Sequence, residues 1–179
     1  MSAPRLPQSH VAHAQQGAAL ITALLLLVVL TILGVSVMQM SRVQEKMAGN
    51  TRDINIGFEA AEAALRNAEA LIDQQTLPPI GCPAAPPPCT FWNAGAVGDV
   101  ASQTAAWWKA NATPFKDAAG NPMSGVAENP QFVIEQLAED KGVTTPPVAN
   151  RVFYQVTARS TGASGLANTI VQSTFARKY

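Results

Sequence analysis

Histidine is nearly missing from this chain of 179 residues. Its two histidines, His10 and His13, precede a long apolar run, so removal of residues 1–17 would leave none. A chain without histidine cannot form a Ser–His dyad, use a histidine general base or bind a metal through imidazole. Cysteine is also scarce, because Cys82 and Cys89 are the only two, and a pair of thiolates does not complete a structural zinc site.

Charge is sparse and balanced. Charged residues make up 13% of the chain, with 12 Lys and Arg against 12 Asp and Glu, and they form no basic block. A nucleic-acid surface is therefore not expected. The stretches GAVG and GASG lack the spacing of phosphate-binding loops, and DAAGNP at 117–122 predicts a turn rather than a calcium loop. We therefore predict neither an enzyme nor a cofactor or metal site.

The chain does contain an uncharged apolar run, from Ala18 to Met38. As a helix this run would be about 30 Å long, which matches the hydrocarbon core of a bilayer. A secretory signal has a shorter apolar region followed by a small-residue cleavage site, and the end of this run, VSVMQMSR, offers none. The run therefore predicts a retained membrane helix, and the polar leader at 1–17 needs a separate explanation.

The leader and the segments after the run carry a resemblance to a known family. QQGAALI, residues 15–21, resembles the junction of a type IV prepilin, in which a dedicated peptidase cuts after the glycine and methylates the new N-terminus. Residues 39–72 contain MAGN, RD and FEAAEAALR, and this segment resembles PilX-type minor pilins. The closing YQVTARSTGASG and IVQSTFAR resemble the same family, whereas residues 76–130 resemble no family.

The resemblance implies how the N-terminus is processed and where the protein resides. Cleavage is expected between Gly17 and Ala18, with N-methylation of Ala18 and retention of the apolar helix as an inner-membrane anchor. The body would lie in the periplasm. This orientation follows from the resemblance and not from charge, since Arg5 is the one basic residue of the leader. The implied partners are prepilin peptidase, other minor pilins, the major pilin and a tip-associated adhesin.

Two positions in the apolar run bear on assembly. Many pilins carry an acidic residue at the fifth position of the mature chain, where this chain has Thr22. A neutral threonine is easier to bury in lipid than an ionised carboxylate. Gly34 and other small residues permit close approach of a neighbouring helix. The neutral Thr22 indicates a specialised subunit rather than the main building block of a fibre.

Beyond the anchor at 18–40, residues 41–75 predict an amphipathic continuation of the helix. Its apolar stripe follows three- and four-residue steps through Phe58, Ala61, Leu65, Ala68 and Ile72. Before this stripe, MAGNTRDINIG holds two glycines and several weak helix formers, so we expect a softened or bent stretch near 48–57. The Leu-Pro-Pro at 77–79 predicts the end of the helix.

Cysteines and tryptophans cluster after the helix. Six residues, four of them proline, separate Cys82 from Cys89, and an oxidising periplasm favours a disulfide between the two over a metal site. Trp92, Trp107 and Trp108 follow, and two interpretations remain open for them. They could pack on the sheet, as tryptophans usually do, or form an exposed aromatic patch that contacts a partner.

The last part of the chain predicts three strands. QFVIEQLAE after Pro130, residues 151–160 and residues 167–176 carry strand patterns, and Val152 and Tyr154 start an alternating apolar face. The predicted fold is α+β and pilin-like: a long N-terminal helix packed on a small antiparallel sheet with a polar outer face. Residues 76–179 would form the globular body.

The expected function is that of a minor pilin in type IV pilus assembly. Such a subunit would act in the complex that primes the filament and sits at its tip, and would support twitching motility and adhesion. Two alternatives stay open. One is a minor pseudopilin of a type II secretion system, and the other is a single-pass periplasmic binding module with an uncleaved anchor.

Overall fold

The computed structural model describes residues 16–83, 89–140 and 151–179. A boundary between Ala48 and Gly49 divides the chain into two compact units. Below, residues 17–48 are called the apolar segment and Gly49–Tyr179 the head. Helix α1, Gln16–Asp73, contributes to both. The later elements are β1 Phe91–Asn93, a 3₁₀ helix Val100–Ser102, α2 Ala105–Asn111, β2 Thr113–Pro114, β3 Gln131–Asp140, β4 Arg151–Ser160 and β5 Thr169–Lys178.

Helix α1 is uninterrupted over its 58 residues. Its first half is built mostly from Leu, Val, Ala and Met, and its second half is rich in Ala and Glu. Leu, Ala, Met and Glu are strong helix formers. The stretch at 48–57 is α-helical throughout, so its weak formers do not break the helix, and its lower local stability stays a prediction. The helix ends at Asp73, two residues before the expected end and ahead of the Leu-Pro-Pro segment.

The head contains one mixed sheet of five strands in the order β1-β3-β4-β5, with β2 also paired to β3. Strands β3, β4 and β5 are antiparallel neighbours, as the sequence predicts. The prediction of a purely antiparallel sheet is wrong at one edge, because β1 runs parallel to β3. A parallel pair needs a long crossover, and the chain between β1 and β3 supplies it. The last strand also starts and ends two residues later than expected.

One face of the sheet packs against residues 49–73 of α1. Ala64, Ala68 and Ile72 are fully buried there. Opposite them lie the alternating apolar residues of two strands, Phe132, Ile134, Val152, Tyr154, Val156 and Ala158. Alanine on the helix lets the sheet approach closely, and the large side chains come from the strands. This core confirms the helix-on-sheet part of the predicted fold.

Phe58 departs from the predicted apolar stripe. Its side chain is 49% exposed, while the neighbouring Gly57 is buried. A Cβ atom on Gly57 would lie 3.0 Å from the Thr169 Oγ1 and 3.4 Å from the backbone nitrogen of Gly162. At this level the side of α1 that faces the sheet therefore passes through Gly57, where a Cβ atom would be in tight contact with the loop after β4 and the start of β5.

The opposite face of the sheet is not the polar surface that the sequence predicts. A second core lies there, formed by Cys89, Trp92, Val100, Trp108 and Val133. Val133 alternates with Phe132 and therefore points away from α1. Thr157 is also buried on this side. The sheet is covered on both faces because residues 89–112 fold back over its outer side.

Candidate assembly surfaces and functional residues

The apolar segment has its side chains exposed along its whole length. Large residues such as Leu24, Leu27 and Leu33 are more than half exposed. Water would solvate such a surface poorly, so the segment needs lipid or other helices around it. In the described part of the chain, α1 is the one helix long and apolar enough to cross a membrane.

Hydroxyl groups in the apolar segment bond to their own helix. Thr22 Oγ1 donates to the Ala19 carbonyl at 3.0 Å, and Thr31 Oγ1 donates to the Val28 carbonyl at 2.7 Å. A hydroxyl that is satisfied in this way can enter lipid without an unpaired donor. Thr22 lines a shallow groove along the helix, together with Ala19, Ala23, Leu26, Leu27 and Leu30.

Two glycines mark predicted functions of the apolar segment. Gly17 lies in the first turn of α1 and Ala18 follows it, so the predicted cleavage bond falls inside the helix. The leader at 1–15 lies outside the described residues. A Cβ atom on Gly34 would have no neighbour within 4 Å, which leaves space for close approach of another helix. Cleavage at Gly17 and contact at Gly34 both stay predictions.

The disulfide between Cys82 and Cys89 is confirmed, with 6.4 Å between the Cα atoms. Cys82 also pairs with the backbone beside β1: its N–H donates to the Phe91 carbonyl at 2.9 Å, and its carbonyl accepts from the Asn93 N–H at 3.0 Å. The bond therefore fixes the chain that leaves α1 against β1 and the second core. Residues 84–88 within this loop lie outside the described residues.

The tryptophans are used for packing. Trp92 is 1% exposed and Trp108 is fully buried, both against Val133 in the second core. Their burial contradicts the exposed-patch interpretation for these two residues, because the second core removes both rings from the surface. Trp107 is half-buried and packs edge-on against Trp108, with ring centroids 6.0 Å apart. Of the three, Trp107 alone keeps part of its ring available to a partner.

Hydrogen bonds between Asp53 and Ser164 join α1 to the loop between β4 and β5. The Asp53 carboxylate accepts hydrogen bonds from the Ser164 N–H at 2.9 Å and from the Ser164 hydroxyl at 2.5 Å. The hydroxyl bond, followed by the backbone bond, holds the pKa of Asp53 below its usual range. Gly162 lies so close that a Cβ atom there would meet the Asp53 carbonyl and carboxylate at 2.5 Å.

Ionisable groups also line the outer side of the sheet. Glu135 on β3 is 6% exposed, and burial raises the pKa of its carboxyl group, although a backbone hydrogen bond from Gly95 acts in the opposite direction. Lys109 on α2 binds Glu128 at 2.7 Å and lowers the pKa of that carboxyl group. Arg159 lies 3.9 Å from the same carboxylate. These contacts fasten the outer layer to β4.

Two polar contacts hold α1 to the last strand. Ser173 donates its hydroxyl to Glu69 at 2.9 Å, and Arg177 binds Asp73 at 2.8 Å. The Tyr154 and Tyr179 hydroxyls lie 2.8 Å apart, which ties the end of the chain to β4. Together these contacts set the side of α1 along which β5 runs.

Within the described residues, no group of three or more His, Cys, Asp or Glu side chains could hold a metal ion. Asp117, in the segment considered as a calcium-loop fragment, uses one carboxylate oxygen within its own turn. That oxygen accepts from the Ala119 N–H at 2.9 Å and from the Asn121 N–H at 2.7 Å. The segment is therefore a closed turn, as its sequence predicts.

Comparison with protein families agrees with this architecture. The model described as PilX N-terminal matches residues 16–66. The model described as type IV pilus assembly protein PilX C-term matches residues 67–177. The chain belongs to the PilX family. No curated protein and no solved structure matches this PilX chain significantly.

Membership of the PilX family establishes the general function of the chain. PilX proteins are structural components of the pilus, so the chain takes part in type IV pilus assembly and associates with other pilus components. Together with the family match, α1, the one membrane-length apolar helix among the described residues, indicates single-pass membrane anchoring. The two matched regions meet inside α1, between residues 66 and 67, so the helix that carries the anchor also carries one side of the head's core.

Several functional residues of this PilX chain are not evident from its sequence. The sequence indicates a soft helix near Asp53 and a turn at STGASG, and it contains no signal that the two meet 111 residues apart. Gly57, a glycine inside a helical pattern, indicates a packing role at that position but does not identify the segment that packs there. The burial of Glu135 has no comparable signal, because its local pattern is that of an ordinary strand.

Proposed function

We propose that this PilX-family chain is a minor pilin of the complex that primes the type IV pilus and remains at its tip. Prepilin peptidase cuts it between Gly17 and Ala18, and Ala18 is then N-methylated. The mature chain is held in the inner membrane with its head in the periplasm. Its partners are other minor pilins, the major pilin and a tip-associated adhesin, and the complex supports twitching motility and adhesion.

The observation that carries this proposal is the difference in burial between the two halves of α1. Residues 18–38 are uncharged and expose apolar side chains on every side, whereas residues 49–73 bury one face under a sheet. The exposed half can exchange lipid for neighbouring helices without changing its own fold, because both surroundings are apolar. The buried half keeps the head attached during that exchange. A subunit that moves from membrane to filament needs both properties.

Thr22 supports a specialised role within this scheme. An acidic side chain at this position would seek a positive partner in the filament and would be expensive to keep in lipid. The Thr22 hydroxyl is already satisfied by the Ala19 carbonyl. The subunit can therefore enter the helix bundle without an oppositely charged partner for this position. This is expected of a subunit that starts or ends a filament and is not repeated along it.

Mass spectrometry of the membrane-extracted protein tests the processing step. The expected mature chain begins at methylated Ala18. Gly17→Val should block cleavage, since the peptidase cuts after this glycine, whereas Gly34→Val should be processed normally. A mature pool that retains Met1 would rule out the pilin proposal and favour a binding module with an uncleaved anchor.

A deletion strain separates the pilus from the secretion alternative. We expect loss of surface pili and of twitching, measured by electron microscopy and by colony spreading, with normal protein secretion. Loss of secretion with normal pili would instead identify a pseudopilin of a type II system. Cross-linking followed by co-purification with the other minor pilins then tests the proposed partners.

A further inference from the structure

The outer edge of β5 is unpaired. Among residues 16–83, 89–140 and 151–179, β5 pairs with β4 on one side and with no strand on the other. All ten residues of β5 follow β4 in regular antiparallel register. In such a pair every second residue directs its N–H and C=O groups away from the neighbour. The free edge therefore offers a row of backbone donors and acceptors.

Burial falls abruptly between β4 and β5. Val152, Val156 and Tyr154 on β4 are fully buried under α1. Their registered neighbours on β5, Arg177, Ser173 and Phe175, also face α1 but are only half-buried. The core beneath α1 is thus closed at β4 and open on the outer side of β5.

One side of helix α1 borders this edge. The contacts of Glu69 with Ser173 and of Asp73 with Arg177 identify the side of the helix that borders β5. Leu65, Glu62 and Phe58 precede Glu69 by 4, 7 and 11 residues, which places them on the same side. Leu65 is half-buried and Phe58 is 49% exposed. We call Phe58, Leu65, Val171 and Phe175 the edge shelf: apolar side chains beside a free strand edge.

The edge carries few of the features that prevent strand addition. Natural edge strands are usually short, bulged, or interrupted by proline and inward-pointing charges. Strand β5 has ten residues, no proline and no register shift, and its charges stand at its end, on Arg177 and Lys178. The other side of the sheet differs, because β3 is bordered there by β1 and β2, of three and two residues.

We propose that β5 receives an extended segment of a second protein as a further strand, laid over the edge shelf. This inference rests on the proposed function for the class of partner, another pilus assembly component. The segment would place apolar side chains at alternate positions against Phe58 and Leu65. It would also place a basic residue near Glu69, which binds the Ser173 hydroxyl and forms no ion pair within the described residues. Backbone pairing supplies affinity, and the shelf selects the side chains.

A second copy of the chain is a poorer occupant. Antiparallel pairing of β5 with itself would direct the two helix segments at 49–73 in opposite directions. The two Gly49 ends would then lie at opposite ends of the joined sheet. Each Gly49 follows an apolar segment that needs the same membrane. A partner that donates one extended segment avoids this conflict.

The first test uses the full chain in detergent micelles and a synthetic peptide of about nine residues that alternates valine and threonine around a central lysine. Binding should slow amide hydrogen exchange in residues 169–178 at least about tenfold and leave residues 131–140 unchanged. Peptide binding without protection of β5, or no binding at all, would overturn the proposal.

Variants of the shelf supply the control. Phe58→Asp should weaken peptide binding at least about tenfold, whereas Phe58→Leu should keep it, because the shelf requires an apolar side chain rather than a ring. Ile80→Asp is the matched control, since Ile80 is 97% exposed and lies outside the shelf. Unchanged binding by Phe58→Asp, or protection of β5 that rises with protein concentration in the absence of peptide, contradicts the proposed occupant.

Surface pili are then counted in strains that carry each variant. Phe58→Asp should reduce piliation, and Ile80→Asp should not. Should deletion of the whole chain leave piliation normal, the proposed function fails, and the peptide measurement still decides whether the β5 edge binds a strand. Normal piliation with Phe58→Asp, in a strain whose deletion abolishes pili, overturns the edge proposal alone.

Discussion

At the scale of single residues, Gly162 shows how one missing side chain positions a contact. Its backbone lies against Asp53, so that the loop after β4 can place Ser164 on the Asp53 carboxylate. Gly57 on α1 makes the same approach possible from the helix side. Substitution of either glycine adds atoms where two backbones meet, and the Gly162 site is the tighter of the two.

We therefore predict that Gly162→Ala destabilises the head. The added Cβ atom would be 2.5 Å from the Asp53 carbonyl oxygen, which is backbone and cannot move away cheaply. Overpacking of this kind costs about 1–3 kcal/mol. Urea unfolding of the full chain in micelles, followed by tryptophan fluorescence, measures this, because all three tryptophans lie in the head.

Gly49→Ala is the matched control for this experiment. A Cβ atom at Gly49 meets nothing within 4 Å, and alanine favours the helix over glycine by about 1 kcal/mol. This variant should be unchanged or slightly more stable. Equal destabilisation by both substitutions would show that the close approach at Gly162 is unimportant.

At the scale of elements, α1 is a continuous helix whose packing against the rest of the head differs along its length. Between residues 48 and 57, Asp53, Ile56 and Gly57 are at least partly covered and the other side chains are exposed. Between residues 60 and 72, buried alanines and Ile72 pack on the sheet. Helical stability in proteins comes mainly from such packing, so the first stretch should open more readily.

Hydrogen exchange of the full chain checks this difference. Amides in residues 48–57 should exchange at least about tenfold faster than those in residues 60–70. Asp53→Ala should accelerate exchange in the first stretch further and leave the second unchanged, while Glu59→Ala, at an exposed position, should have no effect. Equal protection of the two stretches would contradict the prediction.

Acidification should act on the same stretch. The pKa of Asp53 is lower in the folded protein than its usual value, chiefly because of the Ser164 hydroxyl bond. A lowered folded-state pKa stabilises the protein above the unfolded-state value, and this contribution disappears as pH falls through the folded-state value. Exchange in residues 48–57 of the wild type, corrected for intrinsic rates, should therefore approach that of Asp53→Ala at low pH.

At the scale of the whole molecule, the head is a sheet covered on both faces. The inner cover is residues 49–73 of α1, and the outer cover is the segment that carries Trp92 and Trp108. The outer cover has little regular structure beyond α2 and short strands. Its attachment depends on the disulfide at its start and on ion pairs with Glu128.

Removal of the disulfide should loosen the outer cover. The double variant Cys82→Ser and Cys89→Ser should lower the unfolding free energy by about 2.5 kcal/mol, the value expected for closure of so short a loop. Urea unfolding with tryptophan fluorescence measures the loss near Trp92. A reducing agent should affect the wild type and leave the double variant unchanged, and identical unfolding curves of the two proteins would contradict the prediction.

The sequence by itself determined the features that depend on local periodicity. The apolar segment, the amphipathic half of α1 and the alternation along β4 follow from backbone geometry, which repeats every 3.6 residues in a helix and every two in a strand. The disulfide followed from two nearby cysteines and the oxidising compartment expected from the family resemblance. The family resemblance rested on residues 15–21, residues 39–72 and the two closing stretches of the chain. It was confirmed by the PilX matches.

Tertiary structure decided the features that depend on residues far apart in the chain. It left Phe58 half exposed and placed Gly57 close to Gly162 and Thr169. It placed β1 parallel to β3, buried Trp92 and Trp108 on the outer face, and joined Asp53 to Ser164. Local patterns do not contain these outcomes, since close packing selects among faces and neighbours that are equally compatible with a helix or a strand.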